Sequence, residues 1–366
     1  MSLAQRFLRR IPQYTRQQRH LWSVLRHGTP RKWANLARVE LERKARRVEL
    51  RGHPYLLIID PCNYCNLRCP LCPTGMGNPG RPQGMLSFAQ FREYFDRLAP
   101  YLFEVSLHNW GESLLNREVY SMIAYAQARN VGTNLSSNFS DATQSDLVSI
   151  LDSGLEYLVV SLDGTTHDSY RQYRIRGKFE NVVANIAELI RIRDKRRVST
   201  PFVEWQYIVM KHNEHEIESA EEMSRRLGVN LLRFIPVGLP YNSTPEERMI
   251  YAARWFPTTV VGRKQKVTDS IVQQFGYATK PSPCFYLYRS LTINPDGGIS
   301  PCCMVNHQEE DFGHFPADLR MLWNNDKYQT ARSLFSALNA PHPVPTVCHS
   351  CDVFDRRPHT VSTEKR

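Results

Sequence analysis

The sequence predicts an α/β protein, a partial (βα)6 TIM-like barrel with a small cysteine-rich C-terminal domain and an N-terminal helical arm. Three observations predict it. Six short runs rich in Val, Leu, Ile and Tyr alternate with helical patterns between residues 55 and 237. The nine cysteines form two groups, one at each end of that alternation. The first 53 residues carry 14 Lys and Arg against three Glu, a net charge of +11.

Composition places the chain among ordinary globular proteins. Of its 366 residues, 42% are hydrophobic and 23% are charged, which excludes disordered and collagen-like classes. No apolar run reaches the roughly 18 residues that a membrane span requires. Residues 1–12 lack the apolar core and the cleavage site of a secretory signal. We therefore expect neither a membrane span nor secretion.

The positive charge belongs to one part of the chain. The whole sequence has a net charge of +11, so residues 54–366 are neutral, with 33 basic and 33 acidic side chains. An enzyme acting on nucleic acid more often carries basic stripes along its working surface. We therefore expect no nucleic-acid partner, and the basic arm needs another explanation.

The basic arm, residues 1–53, is predicted to be largely helical. Its apolar residues form two stripes at helical spacing, Leu3, Phe7, Leu8 and Ile11 and then Trp33, Leu36, Ala37 and Leu41. A basic amphipathic helix with Trp can lie on an anionic membrane surface. The alternative is that both stripes pack against the barrel.

The six β-rich runs lack strict alternation, as parallel strands buried on both faces do. They cover residues 55–60, 104–109, 132–138, 157–163, 202–210 and 230–237. Helices are predicted between them at 87–98, 117–129, 141–151, 180–193 and 214–227. Six units are too few for a complete eight-fold barrel, so we expect a partial one. A doubly wound sheet is the alternative.

The remaining segments complete a division into five parts. Proline-rich residues 238–283 interrupt the βα pattern as a linker, with one helix predicted at 245–255. A compact, turn-rich region then contains the second cysteine group. The predicted parts are the arm 1–53, the barrel 54–237, the linker 238–283, the cysteine-rich domain 284–355 and a polar tail 356–366.

The strongest local signal is the first cysteine group, Cys62, Cys65, Cys69 and Cys72, directly after the first strand. Active sites of α/β barrels lie at this carboxyl end of the strands. Three thiolates at x₃ and x₂ spacing can hold a cubic iron–sulfur cluster and leave one iron open. The alternative is a four-cysteine zinc site that includes Cys62. Such tight spacing indicates metal in a reducing compartment, so we expect a cytoplasmic protein.

Cys65-x₃-Cys69-x₂-Cys72 after the first of six βα units resembles the radical SAM superfamily, over residues 55–237. The resemblance implies that these cysteines hold a 4Fe–4S cluster whose open iron chelates S-adenosylmethionine. A one-electron reductant such as flavodoxin or ferredoxin would supply the electron that cleaves it to methionine and a 5′-deoxyadenosyl radical. One departure is Leu71, where the family usually has an aromatic residue whose backbone meets the adenine.

Further matches to this family stand at successive strand ends. Asn109-Trp110-Gly111-Glu112 resembles its Gly-Gly-Glu motif, with Trp110 in place of the first Gly. The segments ending at Asn138 and at Gly164 resemble its ribose-side and Ser-Leu-Asp-Gly motifs. The resemblance implies cofactor binding by Trp110, Gly111, Glu112, Ser137, Asn138, Ser161, Asp163 and Arg174. Singly, a polar strand-end residue is more often a turn or a helix cap.

The second cysteine group has the spacing Cys284-x₁₂-Gly297-x₄-Cys302, followed by Cys348-x₂-Cys351. Two distant pairs can close a four-cysteine site for zinc or for iron–sulfur. Residues 291–300 are predicted to form a hairpin turning at Asp296-Gly297. The group resembles the SPASM or shorter twitch extension, which implies one auxiliary 4Fe–4S cluster on these four cysteines. Cys303 is expected to be spare, or to exchange with Cys302.

The function expected from this resemblance is hydrogen abstraction by a radical SAM oxidoreductase or transformase. The substrate stays open, with an anionic sugar, a lipid or another small metabolite favoured by the basic arm. Dehydrogenation, epimerisation, rearrangement and bond formation are all compatible outcomes. One alternative is an enzyme that matures a peptide or protein. A different class is a non-enzymatic iron–sulfur or zinc protein.

Overall fold

The computed structural model describes residues 15–78, 80–241, 243–258, 283–316, 318–336 and 344–351. The first predicted stripe of the arm and the polar tail lie outside these residues. In the described part of the chain, no helix combines the length and the apolar character needed to cross a membrane.

All six predicted parallel strands are present. They are β1 (Leu56–Ile59), β2 (Glu104–Ser106), β3 (Gly132–Ser137), β4 (Tyr157–Ser161), β5 (Phe202–Val209) and β6 (Leu231–Pro236). They lie side by side in chain order, and each pairs in parallel with the next. A doubly wound sheet reverses its strand order partway. The single direction seen here therefore confirms the partial barrel.

Helices connect the strands as predicted. They are α3 (Phe88–Leu98), α4 (Val119–Ala128), α5 (Gln144–Asp152), α6 (His167–Tyr173), α7 (Phe179–Lys195) and α8 (Ile217–Leu227), and α9 (Pro245–Trp255) follows β6. Ser87 caps α3 in a capping box, and α8 ends at Gly228, whose φ is 73°. The predictions missed α6, because its seven mostly polar residues are too few to show a helical period.

The hairpin of the cysteine-rich region extends the same sheet. β7 (Ser290–Ile293) pairs in parallel with β1, and β8 (Gly298–Ser300) and β9 (Gly313–His314) follow in antiparallel order. Gly297 takes a φ of 84° at the predicted turn. The short helices α10 (Tyr286–Arg289), α11 (Leu319–Trp323) and α12 (Asp326–Ser333) belong to this region. This places β7 next to the strand that precedes the first cysteine group.

Polar side chains fill the barrel at the amino ends of the strands. Asn134 Nδ2 donates to Glu104 Oε1 at 2.5 Å, and Arg233 Nε donates to Glu204 Oε1 at 2.5 Å. The hydroxyl of Tyr157 donates to the other oxygen of Glu204. Both glutamates are buried. Because buried charges require partners, this network forms a polar floor opposite the cysteine end of the barrel.

The arm forms two helices, α1 (Thr15–Arg26) and α2 (Pro30–Lys44), and α2 differs from the prediction. Of its predicted apolar stripe, Trp33 and Leu41 are exposed, at 49% and 68%, while Lys32 and Asn35 are buried. Lys32 Nζ donates to the carbonyl of Asn130 at 2.6 Å, and the Asn35 amide bonds both backbone groups of His53. Because Lys32 and Asn35 form hydrogen bonds with backbone groups, these polar residues can occupy the buried face of α2.

Candidate active site

The first cysteine group lies at the carboxyl ends of the strands, as the sequence predicts. Cys65, Cys69 and Cys72 follow β1 in a loop. Apolar side chains from the loop, from α6 and α9 and from the residues after β5 and β6 pack around them, namely Leu67, Leu71, Tyr173, Met210, Val237 and Trp255. The three cysteines therefore share one apolar enclosure, in which Cys69 is buried and Cys65 and Cys72 are half-buried.

The surroundings of these thiols suit a cluster that needs hydrogen-bond donors. Cys65 Sγ accepts from the Leu67 backbone N–H at 3.4 Å and from Asn138 Nδ2 at 3.7 Å, and Cys69 Sγ accepts from Arg174 Nη1 at 4.0 Å. Burial, with smaller effects of the nearby Cys69 and Cys72, raises the pKa of Cys65 to about 12. A metal centre deprotonates its thiol ligands outright. The donor set therefore fits an iron–sulfur cluster.

Cys62 differs from the other three cysteines. It is completely buried, and its Sγ donates to the carbonyl of Glu112 at 3.0 Å and contacts the carbonyl of Tyr64 at 3.6 Å. Burial raises the pKa of this thiol far above its ordinary value. Cys62 is therefore a thiol that ties the cysteine loop to the segment after β2. In the described residues, no three His, Cys, Asp or Glu side chains approach closely enough to hold a single metal ion.

Glu112 is the centre of a buried network formed by the ends of β2 and β3. Its Oε1 accepts from the Ser137 hydroxyl at 2.7 Å and from the Leu114 backbone N–H at 3.1 Å, and its Oε2 accepts from the Asn138 backbone N–H at 2.7 Å. Burial raises the pKa of Glu112, while these hydrogen bonds oppose that change. A cationic group beside the carboxylate would favour its ionised form.

The segment before Glu112 depends on a close backbone approach. A Cβ on Gly111 would lie 1.9 Å from the carbonyl oxygen of Cys62. The Trp110 backbone N–H donates to Asp60 Oδ2 at 3.0 Å. Burial raises the pKa of Asp60 to about 7, although the backbone N–H groups of residues 109–111 oppose it. The sequence predictions missed Asp60, yet an acid at the end of β1 directly before the cysteines was a usable signal.

Arg174 and Asp163 form an ion pair beside the cysteines. Arg174 Nε donates to Asp163 Oδ2 at 2.5 Å, and the backbone N–H of Ile208 donates to Asp163 Oδ1 at 2.7 Å. Burial alone would lower the pKa of Arg174, but the Asp163 carboxylate acts together with Cys69 and the nearby tyrosines and holds the pKa above its usual range. Ser161 stands at the end of β4, opposite Gln206. All eight predicted cofactor residues therefore belong to the cysteine end of the barrel.

The second cysteine group also comes together. Burial, with smaller effects of the nearby Cys351 and Cys303, raises the pKa of Cys284 to about 12. Burial also raises the pKa of Cys302 well above its ordinary value, and the nearby Cys284 and Cys348 contribute to that increase. Four thiols from three separate segments therefore lie together, with Cys284 buried and the other three half-buried, a set that fits a closed four-cysteine cluster. The thiol of Cys303 lies near the same group and donates to the Tyr286 hydroxyl at 3.2 Å.

Arg81 joins the two cysteine regions, a connection that the sequence did not reveal. It lies in the loop after Cys72, and its guanidinium bonds Asp296 at 3.0 Å and Asp311 at 2.9 Å. Its Nε donates to the carbonyl of Asn306 at 3.1 Å. Two carboxylates and a carbonyl from the hairpin region therefore hold the loop of the first cysteine group.

Comparison with known proteins adds independent findings. The family model described as the radical SAM superfamily matches residues 59–223, and the SPASM model, an iron–sulfur cluster-binding domain, matches residues 284–352. The chain is 24% identical to a PqqA peptide cyclase of Ruegeria pomeroyi, over 82% of this chain and 80% of that protein. It is 25% identical to an AdoMet-dependent heme synthase of Methanosarcina barkeri, over 83% and 90%.

Solved structures share the fold. Streptococcus suis SuiB bound to S-adenosylmethionine is 15% identical, with a TM-score of 0.61 over 87% of this chain and 74% of that one. Native anSMEcpe with bound AdoMet and a Cp18Cys peptide is 14% identical, with a TM-score of 0.54 over 78% and 84%.

Proposed function

The chain is a radical SAM enzyme with a C-terminal SPASM domain, and from this premise we propose which residues carry its chemistry. Cys65, Cys69 and Cys72 hold the 4Fe–4S cluster that binds S-adenosylmethionine. When bound and reduced, such a cluster would supply the electron for cleavage of the cofactor to methionine and a 5′-deoxyadenosyl radical, the species that would abstract hydrogen from the substrate. The observation that supports this is the common location of the three thiols, Glu112 and Arg174 at one end of the barrel.

Glu112 is proposed to receive the amino group of the cofactor. Ser137 and the backbone of Asn138 each hold one of its carboxylate oxygens. A carboxylate fixed at both oxygens does not need to reorganise when a cation arrives, so little free energy is lost on binding. The remaining acceptor capacity of the carboxylate would be directed at the ammonium group.

Arg174 is proposed to meet the cofactor carboxylate. Its Nε is committed to Asp163, and its Nη1 lies 4.0 Å from Cys69 Sγ. Because the guanidinium is planar and rigid, fixing one edge aims the other. Asp163 therefore acts as a positioning residue, while Ser137, Asn138 and Ser161 would line the ribose side.

Cys284, Cys302, Cys348 and Cys351 are proposed to hold one auxiliary 4Fe–4S cluster. A cluster closed by four thiolates has no open iron for substrate. Its role would be to pass an electron or to stabilise the cysteine-rich region. Arg81 joins that region to the loop of the first site. The five parts predicted from the sequence, bounded at residues 53, 237, 283 and 355, remain part of this proposal.

A small polar or anionic metabolite is the proposed substrate class, and a peptide is the second candidate. The net charge of +11 on residues 1–53 supports the first, because it attracts anions and anionic surfaces. The names of related proteins support the second, since they include a PqqA peptide cyclase and a mycofactocin maturase, and SuiB has been solved with a precursor peptide. Flavodoxin or ferredoxin is the proposed class of reductant.

The basic arm is proposed to hold the enzyme at an anionic membrane surface in the cytoplasm. Basic residues close to anionic lipid contribute about 1 kcal/mol each, and the attraction is screened by salt. Sedimentation with vesicles of phosphatidylcholine and phosphatidylglycerol tests this, with pure phosphatidylcholine as the control. Equal sedimentation with both, at low and at high salt, would refute the membrane association.

The cleavage proposal is tested with anaerobically reconstituted protein, S-adenosylmethionine and dithionite. We expect about eight irons per chain in the wild type and about four in the Cys65/Cys69/Cys72→Ala variant. 5′-Deoxyadenosine should form only in the wild type. Iron that stays unchanged in the variant would contradict the assignment of the ligands. A wild type that binds zinc and forms no 5′-deoxyadenosine would contradict the enzymatic proposal.

A further inference from the structure

Helix α1 has a polar inner face that is bound to the floor of the barrel. Arg19 Nη2 lies 3.0 Å and His20 Nδ1 3.3 Å from the Glu104 carboxylate, and the Ser23 hydroxyl donates to it at 3.2 Å. One turn further, His27 Nε2 lies 3.0 Å from Glu156 Oε1. Glu104 begins β2 and Glu156 directly precedes β4. The helix therefore lies across the amino ends of the central strands.

The outer face of α1 is apolar and exposed. Leu21, Trp22 and Leu25 have exposed fractions of 57%, 60% and 59%. At about 100° per residue, Leu21 and Leu25 point opposite to the face formed by Arg19 and Ser23. Trp33 of α2 extends this surface, because its indole donates to the Val24 carbonyl at 3.3 Å while half of the residue stays exposed. Soluble proteins seldom expose such a contiguous group of large apolar side chains.

This outer face and the active site lie at opposite ends of the barrel. Along β3, the amino end at Gly132 is close to Ser23 and His27, whereas Ser137 at the carboxyl end bonds Glu112. Five steps of about 3.3 Å separate those two ends, or roughly 17 Å. The thickness of a helix, about 10 Å, adds to that separation. A surface in contact with Trp22 is therefore roughly 25 Å from the site of hydrogen abstraction.

We propose that the outer face of α1 binds an anionic bilayer. The mouth of the barrel, which is the end that contains the first cysteine group, then faces the aqueous phase. This inference rests on the membrane association proposed above, and it narrows the substrate class. A lipid in the same bilayer would have to move its reacting carbon about 25 Å out of the membrane. The substrate therefore reaches the active site from water, as a soluble polar molecule or as a molecule held by a soluble carrier.

Two exposed apolar surfaces could contact a bilayer, namely the outer face of α1 and a pair of residues on α9 at the cysteine end of the barrel. The charges beside each surface indicate which of them an anionic bilayer would bind. Met249 and Ile250 on α9 are 68% and 65% exposed, and α9 packs over the cysteine site through Trp255. The first turn of α9 contains Glu246 and Glu247, both exposed, and with Arg248 and Arg254 the helix has no net charge that would attract anionic lipid. By contrast, α1 belongs to a segment with a net charge of +11. An anionic surface is therefore expected to select α1.

Photo-crosslinking on the reconstituted holoenzyme tests the orientation. The photoreactive residue p-benzoylphenylalanine is introduced as Leu25→p-benzoylphenylalanine or as Met249→p-benzoylphenylalanine, and each protein is irradiated with phosphatidylcholine–phosphatidylglycerol vesicles. Glu93→p-benzoylphenylalanine, at an exposed position on the side of the barrel, gives the background. We expect a lipid adduct, seen as a mass shift, at position 25 at least tenfold above background, with position 249 at background.

Each other result overturns the orientation. A lipid adduct at position 249 would mean that the mouth faces the bilayer and that lipid substrates have access. The absence of an adduct at position 25 would mean that something else covers this face, and an adduct to residues 1–14 would identify the chain itself as the cover. Sedimentation of the wild type with the same vesicles reports separately on the membrane association. 5′-Deoxyadenosine formation reports on the cleavage chemistry.

Discussion

The hydroxyl of Ser137 donates to the carboxylate of Glu112 at 2.7 Å, although 25 residues separate them in the chain. The contact joins the ends of neighbouring parallel strands, so it connects two motifs that resemble cofactor-binding segments. It also leaves the carboxylate buried and oriented before any ligand arrives. Much of the chemistry proposed for this enzyme depends on arrangements of this kind.

Glu112→Gln should weaken cofactor binding without loss of iron. The amide keeps the size of the side chain but removes the negative charge, and one charged hydrogen bond contributes about 1.5–3 kcal/mol. We expect S-adenosylmethionine to bind about tenfold to a hundredfold more weakly, measured by titration of the reconstituted protein. Glu93→Gln, at an exposed position, is the matched control. Unchanged affinity in Glu112→Gln would remove this carboxylate from the cofactor site.

Asp163→Asn should leave Arg174 present but wrongly oriented. The Asn side chain can still accept from the Ile208 backbone N–H, but its neutral amide no longer balances the guanidinium. Loss of one partner from a buried ion pair costs about 3–5 kcal/mol. We expect reduced thermal stability together with weaker cofactor binding. Asp152→Asn removes an exposed partner of Arg196 and should change neither measurement.

Cys62→Ser should retain all of the iron, whereas Cys65→Ser should not. The Cys62 thiol donates to the Glu112 carbonyl at 3.0 Å, a role that a hydroxyl can also perform. Iron and sulfide analysis with an absorption spectrum compares the two variants at matched protein concentration. A parallel loss of iron in Cys62→Ser would show that this residue is a ligand.

Gly111→Ala should destabilise the protein by about 1–3 kcal/mol, the usual cost of forcing an extra methyl group into a packed site. The added Cβ would lie 1.9 Å from the backbone oxygen of Cys62, which no rotamer change relieves. Gly84→Ala is the control, since its nearest neighbour is a side-chain atom at 3.9 Å. Thermal unfolding measures both variants, and equal melting temperatures would contradict the close approach.

The anchor between α1 and the barrel should weaken in acid. Burial would raise the pKa of Glu104, but the charge of Arg19 and hydrogen bonds from His20 and Ser23 outweigh it and lower the pKa to about 2. A carboxyl whose pKa falls on folding stabilises the protein above its unfolded pKa of about 4.5. That stability, about 3 kcal/mol, is lost as the pH falls through the folded pKa.

Glu104→Gln removes this titration. Between pH 7 and pH 4, the wild type should therefore lose about 1 kcal/mol relative to the variant. Urea unfolding at the two pH values measures the difference, and Glu93→Gln should behave like the wild type. A constant difference between wild type and Glu104→Gln would show that folding does not lower the pKa of this carboxyl.

Local patterns explain why so much of the fold was predictable. Strands β1 to β6 lie within two residues of the predicted runs, apart from β2, which ends three residues early. The turn at Asp296-Gly297 was also predicted, because a left-handed backbone at position 297 favours glycine. Such signals extend over a few residues. They identify elements well and say little about which face of an element is buried.

The sequence by itself determined the order of the strands, the two cysteine groups and their cluster-type spacing, because these are properties of short stretches of chain. Tertiary structure alone decided the pairing of β7 with β1, the Arg81 connection and the inward direction of the polar face of α1. Those contacts join residues far apart in the chain, and their free energy depends on burial and on partners that exist only after packing. The arm shows this most clearly, since Glu104 and Glu156 on the barrel draw the charged face of α1 inward and leave Trp22 exposed.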